Sequence, residues 1–505
     1  MVHMTAQRAA DRSGSELGWL DAAGSPEIAS KLPGLASALR ADYMGKRLQT
    51  WLLGSRAGHV LERCEPGKAY LEPDACTVRY QLALRDRRTG RTRQAIVTGR
   101  LFATGRSCAA FVQEQLVPLA ADVQEGAEAV PLGARVGILP ELNMAVHLFP
   151  VDPDLPTLIH ATDRRRMKEA LRLTPGAEAV DVDDCRIEVA HYPRRGRCVL
   201  RFELQTRGKD ARELRDRALY GKVFMPAETP SDHSAVVALR KRLCEGGSAR
   251  FAIPRAAGFV PELRMVLLEE VPGAPRVARL IAARLDESTA GHEEPLGLER
   301  AVDECAAIAA TVHASGIVHG RRRALGDECD AVARELSMLR RVSPGLGALL
   351  DGAVRRVAAE GAPAEAMEPC FCHGDYTPAQ VLFDGSASAL IDFDNTCQAE
   401  PALDLGHFAA YLRLAARKAE MRKGINASGL GDALSRRFLD HYLAARPAIV
   451  DGESFRRRLA LYERLSLVRV AIHSWHQLKP GRVATALSVL EERDLQAAPS
   501  ACRFG

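Results

Sequence analysis

The chain reads as an α+β protein of two lobes, a small β-rich one and a larger helical one, preceded by a second copy of the β-rich unit. Three observations carry this reading. Cys198, Leu200, Phe202 and Leu204 alternate with Val199, Arg201 and Glu203, the period-two pattern of a half-buried strand. A block with the same alternation stands 122 residues earlier. From about Pro275 onward the apolar spacing turns helical, and after Leu405 almost wholly so.

In chain order, residues 1–58 show helical periodicity around Leu35–Leu53 and form an N-terminal helical segment. Residues 59–155 hold the first β-rich unit. Its CTVRYQLALR from Cys76 aligns without a gap to CVLRFELQTR from Cys198, and Gly99-Arg100-Leu101-Phe102 then faces Gly221-Lys222-Val223-Phe224. Further on, GILPELNM from Gly137 faces GFVPELRM from Gly258, now 121 residues apart, so one residue was gained or lost between the blocks. Three blocks in register point to a duplication. The first copy ends in Phe149–Pro156, whose three prolines break regular structure and read as a linker. Residues 156–181 continue it with a charged, helix-like segment near Asp163–Leu173. In the second unit, residues 182–274, Arg195-Gly196-Arg197 reads as a hairpin turn before the strand at 198–204. Ala218–Phe224 is a second strand, with Lys222 near its end. Residues 275–505 form the helical lobe, where Ala301–Ala314 is an apolar-rich helix.

Composition bounds the class. A length of 505 residues suits two or three domains, and 47% hydrophobic with 26% charged residues is globular and not disordered. The net charge of +5 gives no warrant for a nucleic-acid or membrane-surface protein, and 5% aromatics disfavour stacking platforms for single strands. The N-terminus lacks the apolar run of a secretory signal, and no stretch reaches the ~18–20 apolar residues of a bilayer span. Twelve cysteines are scattered without a CxxC pair, which fits a reducing cytoplasm. Cys370 and Cys372, the one close pair, read as small core residues on a buried strand.

The chemistry concentrates in Phe371–Leu412. Val381–Phe383 and Ala389–Phe393 are short apolar runs around the turn signal Asp384-Gly385-Ser386, hence a hairpin. The chain enters past Asp375 and Gln380 and returns at Asp392 and Asp394, so two carboxylates and an amide oxygen meet at one edge. Hard oxygen ligands of this kind suit Mg²⁺ bound together with phosphates. Asp394 reads equally well as a second metal ligand and as a solvent-facing acid. His473 and His476, one helical turn apart, read as packing or surface residues.

His373-Gly374-Asp375, with Gln380 five residues after Asp375 and then Leu390-Ile391-Asp392-Phe393, resembles the aminoglycoside phosphotransferase and choline kinase superfamily, relatives of the protein kinases. The resemblance runs from about Val182 to the C-terminus and implies a bilobal, protein-kinase-like fold. It implies that Asp375 orients and deprotonates an acceptor hydroxyl and that Asp392 holds Mg²⁺ against the phosphates of ATP or GTP. Lys222 matches the family's strand lysine, which contacts the α- and β-phosphates. Glu269-Glu270-Val271 matches the hinge, whose backbone binds the adenine edge. His373 and Asp404 match residues that brace the catalytic loop. There are departures. Gln380 replaces the usual Asn, as in maltokinases. No Glu follows in Ser231–Leu243 to pair with Lys222. The nucleotide loop, Pro193 to Arg197, is basic instead of glycine-rich, leaving Arg195, Arg197 and backbone N–H groups for a phosphate. The first copy carries Arg100 in place of the lysine and has no catalytic loop, so it is expected to serve packing, dimerisation or cleft shape.

Residues 405–505 carry 17 Lys and Arg against 9 Asp and Glu. This balance favours a neutral or anionic hydroxyl substrate over a polycationic aminoglycoside, and Gln380 points toward a sugar. Two functions stand at this point: a cytoplasmic small-molecule kinase, monomeric or a homodimer, and a weak or inactive kinase-like module that binds nucleotide or metabolite as a regulator.

Overall fold

The two alternating blocks lie inside two five-stranded sheets of one design. The computed structural model describes residues 25–54, 58–123, 135–173, 181–194, 196–207, 214–226, 228, 232–244, 250–286, 296–362, 366–385, 387–425, 428–447, 449 and 452–497. The first sheet contains β1 (His59–Leu71), β2 (Ala75–Asp86), β3 (Thr92–Phe102), β4 (Val136–Leu139) and β5 (Met144–Leu148), in the order β1-β2-β3-β5-β4. The second contains β6 (Asp181–Arg194), β7 (Arg197–Arg207), β8 (Leu214–Phe224), β9 (Ala256–Val260) and β10 (Met265–Glu269), in the order β6-β7-β8-β10-β9.

The correspondence extends beyond the strands. After its third strand each copy inserts a helix with a π-helical turn, Gly105–Phe111 with Val112–Leu116 and Asp232–Leu239 with Arg240–Cys244; the first continues as α-helix through Val117–Ala121. Each Pro-Glu-Leu becomes a 3-10 turn followed by a left-handed residue, Asn143 at φ 49° and Arg264 at φ 48°. A Cβ on Gly99 would lie 2.7 Å from Met144 Sδ, and one on Gly221 would lie 2.6 Å from Met265 Sδ. Both glycines thus make room for the same methionine.

Alternation decides the cores. Cys76, Val78, Tyr80 and Leu82 are fully buried, as are Cys198, Leu200 and Phe202. Burying such side chains contributes roughly 1.5–3 kcal/mol each. In the second copy the apolar face packs against Leu155, Leu158, Ala161, Met167 and Leu171, from the helices Leu158–Ala161 and Arg164–Leu173. The first copy has its own short-then-long helix pair, Leu35–Ala38 and Ala41–Leu53, with Met44 and Leu48 buried. Tyr80 closes that contact by donating its hydroxyl to Ala38 O at 2.8 Å. Leu32-Pro33-Gly34-Leu35 therefore corresponds to Leu155-Pro156-Thr157-Leu158, and the repeated unit begins with its helices.

The proline-rich run breaks regular structure as expected, yet it is packed. Val151 lies in the apolar cluster of the first sheet and Leu155 in that of the second. Nearby, the Arg79 guanidinium of β2 lies 3.4 Å above the Tyr192 ring of β6 and donates to Tyr192 O at 3.0 Å. The Tyr192 hydroxyl donates to Asp152. All of this belongs to one compact unit, Met1–Thr229 with Ala257–Leu267 and Ser474–Pro480.

The other unit, Pro230–Ala256 with Leu268–His473 and Gly481–Gly505, is mainly helical. Two three-stranded sheets support its loops. One is β11 (Ala274–Pro275), β14 (Val381–Asp384) and β15 (Ala387–Leu390); the other is β12 (Arg322–Arg323), β16 (Cys397–Ala399) and β13 (Cys370–Cys372). The expected hairpin is present, but its second strand stops at Leu390 and the chain turns at Asp392. The helix Ala402–Lys423 buries Leu403, Asp404, Leu405 and Phe408, and Tyr376, Phe408 and Phe438 stack in series at 5.2 and 4.3 Å. His473 pairs with Glu335 at 3.1 Å, and His476 Nδ1 lies 2.9 Å from Leu71 O, so both serve packing. The described cysteines are free thiols, and among the described residues no helix is long and apolar enough to cross a membrane.

One buried ion pair joins the second of these sheets to the helices. Arg458, 3% exposed, forks onto Glu400, 5% exposed, which also accepts from Met367 N–H at 3.2 Å and Tyr462 Oη at 3.2 Å. Removing one partner leaves a buried charge alone. Arg458→Ala is expected to lower unfolding free energy by about 3–5 kcal/mol, while the double variant Glu400→Leu/Arg458→Met loses less than that. Urea denaturation of the three proteins is the check.

Candidate functional site

The catalytic-loop motif is held by its backbone. Gly374, at φ 78°, turns the chain where a Cβ would lie 1.9 Å from Asn395 O, so no other residue fits. Asp404, 1% exposed in the first turn of its helix, accepts His373 N–H on Oδ2 at 2.7 Å and Gly374 N–H on Oδ1 at 2.8 Å. His313 Nε2 approaches Oδ2 at 3.1 Å, and His313 Nδ1 meets the Tyr442 hydroxyl at 2.9 Å. Burial opposes the Asp404 charge, but the His313 hydrogen bond and charge, the His373 charge and the His373 amide hold its carboxyl below the usual carboxylate range. For His313 burial pulls the other way; Cys370 and Asp404 outweigh it and raise the imidazole's pKa. His373 braces the loop from the opposite side, with Nε2 3.0 Å from Ile391 O and its ring against Phe393.

Asp375 follows this clamp with a side chain 36% exposed. Its Oδ1 lies 3.1 Å from His407 Nε2, and His407 Nδ1 lies 3.0 Å from Ser466 Oγ. The sequence reading missed His407 and Ser466. His407 had a signal, since it stands one helical turn after Asp404 and so on the same face. Tyr411, one turn further, stays protonated because burial and the Asp375 charge both raise its pKa.

Gln380 and Asp392 sit together. Gln380 N–H donates to Thr377 O at 3.0 Å and Ile391 N–H donates to Gln380 O at 3.1 Å, which aligns the entering and returning strands. Gln380 Nε2 reaches Asp392 Oδ2 at 3.4 Å, so the extra methylene keeps the amide at the carboxylate. Asp392 occupies the left-handed region at φ 69° and ψ 63°, a conformation that costs a non-glycine residue about 1–3 kcal/mol. Asp394 lies half-buried in the following 3-10 turn, Phe393–Asn395. Arg323, paired with Glu328 at 2.6 and 2.7 Å, donates to Asn395 O at 3.4 Å and steadies that turn. The donor set of Gln380, Asp392 and Asp394 is all hard oxygen, which fits Mg²⁺.

The expected nucleotide residues lie apart in sequence. Lys222, 8% exposed on β8, pairs with Val199 of β7. Arg197 opens β7, 4.0 Å from Glu228 and over the Phe224 ring. Arg195 lies outside the described residues. Glu269 ends β10, and its carboxylate and N–H are both tied to Arg255, at 2.6 and 2.8 Å; Glu270 is exposed and Val271 half-buried beyond it. Arg100, the counterpart of Lys222, pairs with Glu72 at 2.8 Å.

Residues 211–447, which contain this site, match the phosphotransferase enzyme family (APH), the family that the motif resembles. No curated protein matches the chain. Among solved structures, a glucosamine kinase in complex with glucosamine, ADP and inorganic phosphate is similar at 19% identity, covering 66% of this chain and 86% of that one, with a TM-score of 0.45. An ethanolamine kinase of Plasmodium vivax is similar at 12% identity, over 63% and 84%, with a TM-score of 0.40. A choline/ethanolamine kinase family protein of Mesorhizobium loti is similar at 15% identity, over 66% and 98%, also with 0.40.

The Asp404–His313 pair carries a signed prediction. A raised His313 pKa contributes stability in full below the ordinary value of 6.5 and loses it as pH rises through the folded value. The depressed Asp404 pKa contributes stability that is lost only as pH falls through a value below 3.8. The stability advantage of the wild type over His313→Gln is therefore expected to be largest below pH 6.5 and to shrink on the alkaline side. Denaturation of both proteins across that range is the measurement.

Proposed function

We propose that this chain is a Mg²⁺-dependent phosphotransferase that moves the γ-phosphoryl group of ATP or GTP to a hydroxyl of a small molecule. The observation that carries the reading is the half-exposed Asp375 carboxylate, oriented by His407 on a loop whose backbone Asp404 clamps. Asp375 orients the acceptor hydroxyl and takes its proton, while His407 holds Oδ1 in place. Phosphoryl transfer needs little covalent chemistry from a protein, so positioning and charge stabilisation do most of the work. Asp392, Gln380 and Asp394 would hold Mg²⁺, which supplies charge neutralisation on the phosphates. Lys222 serves the α- and β-phosphates, Arg195 and Arg197 the nucleotide loop, and the backbone at Glu269, Glu270 and Val271 the base. The first sheet, with Arg100 committed to Glu72, is a degenerate copy that packs and shapes without binding nucleotide.

A sugar or another neutral or anionic metabolite suits the basic balance of 405–505 better than an aminoglycoside does. The second reading, a weak or inactive regulatory module, rests on Gln380 in place of Asn and on the lack of a Glu in Ser231–Leu243 to pair with Lys222. Retention of Asp375, Asp392 and Lys222 together supports the active enzyme.

A phosphorylation screen of sugars, amino alcohols and aminoglycosides with ATP and GTP tests the reading. Asp375→Ala is expected to lower Mg²⁺-dependent turnover about 10²–10⁴-fold; unchanged slow turnover in that variant would reject the enzyme reading. Lys222→Ala is expected to lose nucleotide binding while Arg100→Ala retains it, as read by calorimetry.

A further inference from the structure

Cys370 and Cys372 read as core residues, and the structure adds a third group that changes their chemistry. On β13 the two thiols flank Phe371 on one face, because alternate residues of a strand share a side. His313, from the end of a distant helix, joins them. One ligand atom from each of the three lies within 4.8 Å of the others. The two Sγ atoms are 3.8 Å apart. Two thiolates bound at about 2.3 Å in a tetrahedral zinc site stand about 3.8 Å apart as well.

We propose that His313, Cys370 and Cys372 form a binding site for a thiophilic d¹⁰ cation, Zn²⁺ in the first instance, and that its occupancy inhibits the neighbouring catalytic loop. The regulatory half rests on the phosphotransferase reading; the site itself does not. Cys370 is half-exposed and gives the ion a way in, whereas Cys372 and His313 are buried. Besides the Cys370 sulfur, the Cys372 thiol reaches Ala399 O and Glu400 O at 3.4 and 3.5 Å, and a thiol is a weak donor, so little is lost when it turns to a metal. On binding, the thiol protons and any proton on the coordinating ring nitrogen leave to solvent, and that nitrogen contributes its lone pair. A solvent molecule from the Cys370 side completes four-coordination.

The link to the loop is His313. Its two ring nitrogens are engaged by Asp404 and Tyr442. A metal on Nε2 takes the place of Asp404, so the carboxylate that clamps His373 N–H and Gly374 N–H loses its partner; a metal on Nδ1 displaces Tyr442 instead. A disulfide between the same thiols is the poorer alternative. Alternate residues of an extended strand lie about 6.6 Å apart along the chain, at the far end of the range that a disulfide tolerates.

The test uses the full-length reduced protein and Co²⁺ as a spectroscopic probe for Zn²⁺. One equivalent per chain is expected to give thiolate-to-cobalt charge-transfer absorption that Zn²⁺ abolishes. Cys370→Ser and Cys372→Ser should each remove the band, and His313→Gln should weaken binding by about tenfold or more. Circular dichroism reports that each variant is folded. No charge-transfer band in the wild type, or a band that survives in Cys370→Ser/Cys372→Ser, overturns the site. So does peroxide oxidation that joins the two thiols in a protein giving no cobalt band. In the activity arm, Zn²⁺ should suppress phosphoryl transfer in the wild type, reversibly on chelation, and not in Cys370→Ser. Binding without suppression overturns the regulatory half. A metal-free chain with no transfer at all rejects the phosphotransferase reading and leaves the cobalt spectrum to decide the site.

Discussion

The loop that carries the His-Gly-Asp motif depends on one buried carboxylate. Asp404 spends both oxygens on the main chain of the loop, and its charge is tolerated at 1% exposure because three donors converge on it. The carboxylate also sits at the N-terminus of a helix, where the peptide dipoles favour negative charge. From that anchor the rest follows. Gly374 turns where no side chain fits, Asp375 leaves the turn half-exposed, and His407 returns to it from the same helix that carries the anchor. Loop and helix therefore move as one body.

The remaining strain sits where a ligand is expected. Asp392 adopts a left-handed conformation between a strand and a 3-10 turn, held by the Gln380–Ile391 backbone pair before it and by Arg323 after it. Such strain persists only where surrounding contacts over-determine it. The amide of Gln380 at the Asp392 carboxylate shows how a longer side chain is accommodated with no break in strand pairing.

Much of the architecture was legible because alternation and turn chemistry act locally. The strands around 198–204 and 218–224, the hairpin at 381–390 and the repeated blocks all write their periodicity into neighbouring residues. The catalytic-loop pattern was legible for the same reason. What the sequence hid are contacts between distant elements: His313 on Asp404, His407 on Asp375 and Ser466, and the imidazole that joins the two thiols. The helix pair that opens each repeat shows in the sequence as Leu-Pro-x-Leu at two places, but helical surfaces vary freely apart from buried positions such as Met44, Leu48, Met167 and Leu171, so a match this short does not stand out. The second apolar run was overextended because Ile391 and Phe393 are apolar on either side of a residue whose backbone cannot continue a strand.

The short stretch between the two sheets has a mechanical consequence. Val151 is seated in one core and Leu155, four positions later, in the other. With so little slack, the duplicated halves are not beads on a string. Only three residues separate the two anchors, so the run between the sheets is held at both ends.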